Sequence, residues 1–232
     1  MTPSHTNPVL VALDVPTREA ALDLTSELRP HVGGFKVGLE LFCSVGPSIV
    51  EEIGADKVFL DLKFHDIPNT VAGVSRAAAK MGVMIFNVHC LGGLEMMRAA
   101  KEAAREANAS TRIIGVTVLT SHDRVQLQGI GLDEEPRDAV RRLALLARDA
   151  ELDGVVCSPQ EIELVRQECG PDFLLVTPGI RPAGGDMGDQ KRVLTPREAV
   201  DAGANWLVVG RPITAAPDPA ASARAIYNEI TQ

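Results

Sequence analysis

A single-domain (β/α)8 barrel spanning residues 1–232 is the fold this sequence predicts, and three observations predict it. Short runs rich in Val, Ile and Leu recur eight times, with helix-like stretches between them; buried parallel strands covered by helices read this way. The length of 232 residues suits one such barrel. The first run leads into Asp14-Val15-Pro16 without a GxGxxG fingerprint. An open doubly wound sheet, the runner-up, normally uses fewer strands and carries that fingerprint.

The elements follow in order. The first strand is predicted over residues 9–14, with a helix over 17–28; the second over 35–38, with a helix over 41–53. The third, 58–63, alternates Val58, Leu60 and Leu62 with Phe59, Asp61 and Lys63 and precedes an alanine-rich helix over 69–81, with Pro68 where that helix begins. A fourth strand over 83–89 and a helix over 94–107 lead to a fifth strand over 113–119. A polar connection, 121–135, then enters a helix over 136–151. The sixth strand (154–158) has its helix over 160–169, the seventh covers 173–177, the eighth 206–210, and a helix over 220–230 closes the chain. The glycine-rich stretch inside a loop at about 181–192 lacks apolar anchors and reads as a mobile lid.

Composition narrows the partners. A hydrophobic fraction of 45% is enough for a sizeable core, while a net charge of −8 argues against a nucleic-acid backbone as partner. No apolar run has transmembrane length. The opening residues 1–8 lack the basic and apolar regions of a signal peptide, so a cytoplasmic location is expected. Cys43, Cys90, Cys157 and Cys169 are widely spaced without a CxxC pair, which suggests neither a disulfide framework nor a zinc site. Cys90 and Cys157 read as small core residues.

The chemistry concentrates at the third strand. Asp61 and Lys63 lie two apart and share a strand face among apolar neighbours, and Asp66 follows just past the strand end. A structural ion pair capping the strand is one reading; two acids flanking a lysine where a barrel strand opens into its loop point to catalysis. Lys36, inside the apolar second strand, needs a carboxylate, and Asp61 on the adjacent strand is the natural one. Asp14 extends the row. In an alternating row Lys36–Asp61–Lys63–Asp66 each charge is offset by its neighbours. Acids on both sides favour the charged form of Lys63, which makes it a proton donor rather than a Schiff-base nucleophile.

Other strand ends are polar too: His89, Thr120, Ser158, Arg181 and Arg211. No acid or cysteine stands at ligand spacing beside His89, and His65 and His89 read as core or strand-end histidines, so no metal site is expected. Pro178-Gly179-Ile180-Arg181 and Gly210-Arg211-Pro212 follow the seventh and eighth strands. That is the usual phosphate position of this fold, where glycine amides approach phosphate oxygens and arginine binds them as a fork. Taken alone, Gly-Arg-Pro is equally a tight turn.

These residues resemble the orotidine 5′-phosphate decarboxylase family over essentially the whole chain. The resemblance lies in Ala12-Leu13-Asp14, Phe35-Lys36-Val37-Gly38, residues 59–70, Thr117-Val118-Leu119-Thr120-Ser121, residues 177–181 and Val209-Gly210-Arg211-Pro212. The tail Ile67-Pro68-Asn69-Thr70 separates this pattern from relatives that share only the Asp-x-Lys-x-x-Asp core. The resemblance implies cofactor-free decarboxylation of orotidine 5′-monophosphate to UMP, the last step of de novo pyrimidine nucleotide synthesis. It implies that Asp61 faces the substrate carboxylate, that Lys63 protonates C6, and that Lys36 and Asp14 contact the ribose. Asp66 and Thr70 would enter the partner subunit's site in a homodimer with composite sites. Thr120 would address the pyrimidine edge. Gln190, Arg211 and the Gly210 amide would grip the phosphate, with Arg181 lining the same region.

Three other readings compete. A magnesium-dependent phosphosugar enzyme on the same barrel shares the acid-lysine-acid core. A binding protein on a dead enzyme scaffold would hold UMP without turnover, and a Schiff-base aldolase would be trapped by borohydride at Lys36 or Lys63.

Overall fold

The structure, a computed structural model, describes residues 7–182 and 194–231. Eight parallel strands close into one barrel in chain order. They are β1 (Val9–Ala12), β2 (Gly34–Gly38), β3 (Val58–Phe64), β4 (Ile85–His89), β5 (Arg112–Val116), β6 (Gly154–Val156), β7 (Leu174–Thr177) and β8 (Trp206–Val209). Helices on the outside are α1 (Arg18–Leu28), α2 (Leu39–Val45), α3 (Ser48–Ile53), α4 (Pro68–Lys80), α5 (Gly93–Ala107), α6 (Arg124–Gly129), α7 (Pro136–Asp149), α8 (Ile162–Cys169), α9 (Pro196–Asp201), α10 (Arg211–Thr214) and α11 (Pro219–Thr231). None of the described helices is long and apolar enough to cross a membrane.

Strand alternation divides the apolar residues into two layers. Leu10, Ala12, Phe59, Ile85, Ile114, Val176 and Val208 point inward and fill the barrel. Their neighbours Val9, Val11, Phe35, Val37, Leu60, Phe86 and Val88 point outward beneath the helices. Most strands are therefore apolar on both faces, as the continuous Val/Ile/Leu runs predict, whereas β2 turns Gly34, Lys36 and Gly38 inward. Cys90 and Cys157 are buried as expected, and all four cysteines are free. The helix ends follow local chemistry: Thr17 Oγ1 accepts the Ala20 N–H at the start of α1, and Pro68 occupies the first turn of α4.

The predicted helix over 41–53 is instead two, α2 and α3. Gly46, at φ 89°, ends the first, and Pro47 cannot continue it. The connection over 121–135 contains α6, started by a capping box in which Asp123 and Gln126 exchange hydrogen bonds. Two further short helices went unpredicted, α9 behind a Thr195–Glu198 capping box and α10 directly after β8. Strands β5 and β6 stop at Val116 and Val156, short of the predicted 119 and 158.

At the amino end of the barrel, partly buried polar clamps tie strands together. The Arg166 guanidinium lies within 2.7–2.9 Å of the carbonyl oxygens of Gly170, Pro171, Phe173 and Gly203 and of Asn205 Oδ1. Asn205 Oδ1 also accepts the Leu175 N–H. Arg166→Met removes every one of these donors at once and strands the acceptors. Urea denaturation should show a loss of about 2–4 kcal/mol; a midpoint unchanged from wild type would show that water satisfies these carbonyls equally well.

Candidate active site

Parallel register sets the charged row. Phe35 and Val37 face outward, so Lys36 between them faces the barrel interior. Asp61 follows inward-facing Phe59 by two residues, and Asp14 follows inward-facing Ala12 by two. Lys36 pairs with Phe59 across β2–β3 and with Ala12 across β1–β2, which brings all three charges to one level. Lys36 Nζ donates to Asp14 Oδ1 at 2.8 Å and lies 3.6 Å from Asp61 Oδ2. Lys63 Nζ donates to Asp61 Oδ1 at 2.7 Å. The row is thus Asp14–Lys36–Asp61–Lys63, with alternating sign. Gly38 leaves room for it: a Cβ there would stand 2.9 Å from Lys36 Nζ and 3.3 Å from Asp14 Oδ1.

Lys63 reaches this row from an irregular backbone. On β3, Leu60 pairs with Phe86 and Phe64 with Val88, so residues 61–63 face Asn87 alone across a bulge. Lys63 sits at φ 52°, in the left-handed region that non-glycine residues rarely adopt. Burial pulls the Asp61 carboxyl upward, but Lys36, Lys63 and the hydrogen bonds from Lys63 and Asn87 outweigh it and hold the group below its ordinary value.

The row opens into a cavity of about 670 Å³ at the carboxyl end of the strands. Thr120 and Ser121 line one side, Gly179 and Arg181 another, and Gly210 with Arg211 a third. Cys157 also lines the wall, its thiol pushed up to about 12, chiefly by burial. Of the predicted residues, Asp14, Lys36, Asp61, Lys63, Thr120, Arg181, Gly210 and Arg211 converge on this one cavity.

The others do not. Asp66 is exposed and accepts the Ile67 N–H at 2.6 Å, so within this chain the row ends at Lys63. Thr70 is exposed on α4. Gln190 lies outside the described residues. Ser158 is buried against Glu161, away from the cavity lining. His65 and His89 stack at 5.5 Å, and His89 is lowered to about 4 by burial and by the nearby His65, Lys63 and His122. Among the described residues, no three His, Cys, Asp or Glu gather as metal ligands would.

One residue of the site went unpredicted. Asn87, fully buried on β4, donates from Nδ2 to Asp61 Oδ1 at 2.7 Å, and its Oδ1 accepts the Lys63 N–H at 2.7 Å. Its signal was present: one amide inside the apolar run Ile85-Phe86-Asn87-Val88 must find partners.

The chain matches known proteins along nearly its whole length. A family model described as "Orotidine 5'-phosphate decarboxylase / HUMPS family" matches residues 7–226. Orotidine 5′-phosphate decarboxylase of Moorella thermoacetica is 55% identical, over 96% of this chain and 91% of its own length. The protein of that name from Nitrosococcus oceani is likewise 55% identical, over 96% of this chain and 97% of its own. The crystal structure of orotidine 5′-phosphate decarboxylase from Lactobacillus acidophilus superposes with a TM-score of 0.86 at 38% identity, covering 97% of this chain and all of that one.

Asp61, with its lowered pKa, holds fewer protons folded than unfolded near the acid end. Its contribution to stability is complete above the unfolded carboxylate value of about 3.9 and is lost as pH falls through the lower folded value. Asp61→Asn should therefore melt well below wild type near neutral pH, and the gap should narrow below about pH 4. A gap that stays constant in thermal melts across this range would show that Asp61 is not the ionised centre of the row.

Proposed function

This chain belongs to the orotidine 5′-phosphate decarboxylase / HUMPS family, and from that premise we propose that it converts orotidine 5′-monophosphate to UMP and carbon dioxide. The reaction is the last step of de novo pyrimidine nucleotide synthesis and takes place in the cytoplasm, a compartment that the free cysteines suit. The observation that carries the reading is the Lys63 ammonium, fixed by Asp61 at the floor of the carboxyl-end cavity.

The phosphate is held by Arg211 and the Gly210 amide, with Arg181 alongside and Gln190 closing over it. Thr120 takes the pyrimidine edge. Asp14 and Lys36 hold the ribose hydroxyls, and Asp61 lies against the substrate carboxylate. The bond from C6 to the carboxylate breaks heterolytically: carbon dioxide departs, and the electron pair stays on C6. Lys63 delivers its proton to that carbon, becomes a neutral amine, and regains a proton from water. No cofactor or metal enters. An ammonium already in place stabilises the developing carbanion without reorganisation during the step. Binding energy from the phosphate, remote from the breaking bond, assembles the charged row around the reacting carbon. Repulsion between Asp61 and the substrate carboxylate raises the ground state in the same direction.

The site is completed by a second subunit. Support for this comes from Asp66 and Thr70, which are exposed beside an apolar patch of Ile67, Val74 and Leu91. A shallow groove runs along His65, Asp66, Ile67, Pro68, Leu91 and Gly92. In the homodimer Asp66 of one subunit extends the row of its partner beyond Lys63, and Thr70 joins the same site.

Absorbance of orotidine 5′-monophosphate mixed with the protein in EDTA should change rapidly to the UMP spectrum. Turnover that appears only with added magnesium would move the assignment to the phosphosugar members of the barrel. Lys63→Ala should lose nearly all turnover while still binding UMP. A Lys63→Ala enzyme with substantial turnover would remove the proton-donor role. Mixing inactive Lys63→Ala with inactive Asp66→Ala should restore about a quarter of wild-type activity, because each mixed dimer regains one intact site. Strictly additive, inactive mixtures would show that each site is built from a single chain.

A further inference from the structure

We infer that Asn87 is a positioning residue for the reaction: its side-chain amide holds the β3 bulge that carries Asp61 and Lys63, and so aims the ammonium. The inference rests on the decarboxylase reading above and extends it to a buried residue outside the cavity lining.

Residues 61–63 on β3 face only residue 87 on β4. An ordinary parallel ladder cannot satisfy three residues from one, so the bulge needs another source of hydrogen bonds. Asn87 provides it with both ends of one group, Oδ1 to the Lys63 N–H and Nδ2 to Asp61 Oδ1, each at 2.7 Å. The two contacts fix different things. The first holds the backbone of Lys63 at φ 52°, a conformation that persists only where its surroundings impose it. The second fixes the carboxylate oxygen that also receives Lys63 Nζ. Backbone and tip of the same lysine are thus referred to one buried amide.

The chemistry of an amide suits this task and that of near-isosteres does not. Asn87 must donate to a carboxylate and accept from a peptide N–H at the same time. Leucine offers neither, and an ionised aspartate offers only the acceptor while setting a second negative charge against Asp61. The residue is fully buried, so no water replaces a lost partner without a cavity being opened for it. The charged groups around it are Asp61, Lys63 and, through Asp61, Lys36.

A displacement of Lys63 by about 1 Å is enough to slow a positioned proton transfer by roughly 100-fold. Asn87→Ala should therefore lower kcat by roughly 30-fold or more and leave the Kd for UMP within about threefold of wild type. The acid limb of its kcat/KM profile should also move to higher pH, because Asp61 loses a donor. Asn87→Asp fills the same volume and serves where the alanine variant does not fold. Its activity relative to wild type should rise as pH falls, since a protonated carboxyl regains the donor to Asp61. Wild-type protein that turns over while both variants keep kcat within about threefold would overturn the inference alone. So would losses of kcat that merely match the fraction of unfolded protein. Wild-type protein that does not decarboxylate orotidine 5′-monophosphate would instead overturn the reading on which the inference is built.

Discussion

A single carboxylate governs the carboxyl end of this barrel. Asp61 receives Lys63 at 2.7 Å and lies 3.6 Å from Lys36, and its side chain is largely withdrawn from water. Each of these three charges would be costly alone in such surroundings. Together with Asp14 they alternate in sign, so every ion has an opposite neighbour and none is left unpaired. The arrangement is available because β1, β2 and β3 are adjacent and parallel. Their inward-facing residues reach one level, and Asp14 joins them two residues past the end of β1. Sites built on strands hold their geometry more tightly than sites built on loops.

The regular ladder alone would not place the last charge. Lys63 stands at the end of a bulge, in a backbone conformation that local preference resists. Such violations persist where surrounding structure over-determines them, and they gather at functional sites. Here the surroundings are the Asn87 amide and the Asp61 carboxylate. The strain, the buried amide and the ion pair form one unit, because altering any of the three changes the position of the same ammonium.

Much of this was legible in the sequence, and the physical reasons for the exceptions are specific. The eight strands declare themselves because strands buried on both faces must be apolar throughout. Lys36 and Asp61 declare themselves because charge is rare in such runs. The short helices α6, α9 and α10 do not, since six residues or fewer carry no helical periodicity to read. Their capping boxes were the available sign for α6 and α9. Asn87 is less conspicuous because a neutral amide in an apolar strand stands out less than an ion, although it incurs the same obligation to be satisfied. Asp66 follows Lys63 by only three residues, but its exposure shows that sequence proximity to Lys63 is not proximity within this chain. The chain turns outward at Asp66 and Ile67 before α4 begins at Pro68.

The two ends of the barrel treat polar groups differently, and the difference fits their roles. At the amino end Arg166 meets carbonyls on several sides, and Asp153 meets Lys101, Arg112 and the Ile113 N–H. Arg166 and Asp153 each meet several partners within the protein, which is what a stabilising clamp requires. At the carboxyl end Lys63 keeps a third of its side-chain surface open, and Asp14 Oδ1 holds Lys36 while most of its own side chain faces the cavity. Charges that are only partly matched by the protein are the ones a charged ligand can complete. Stability built at one end allows strain and open charge at the other, which is why the barrel tolerates a left-handed lysine beside a buried acid.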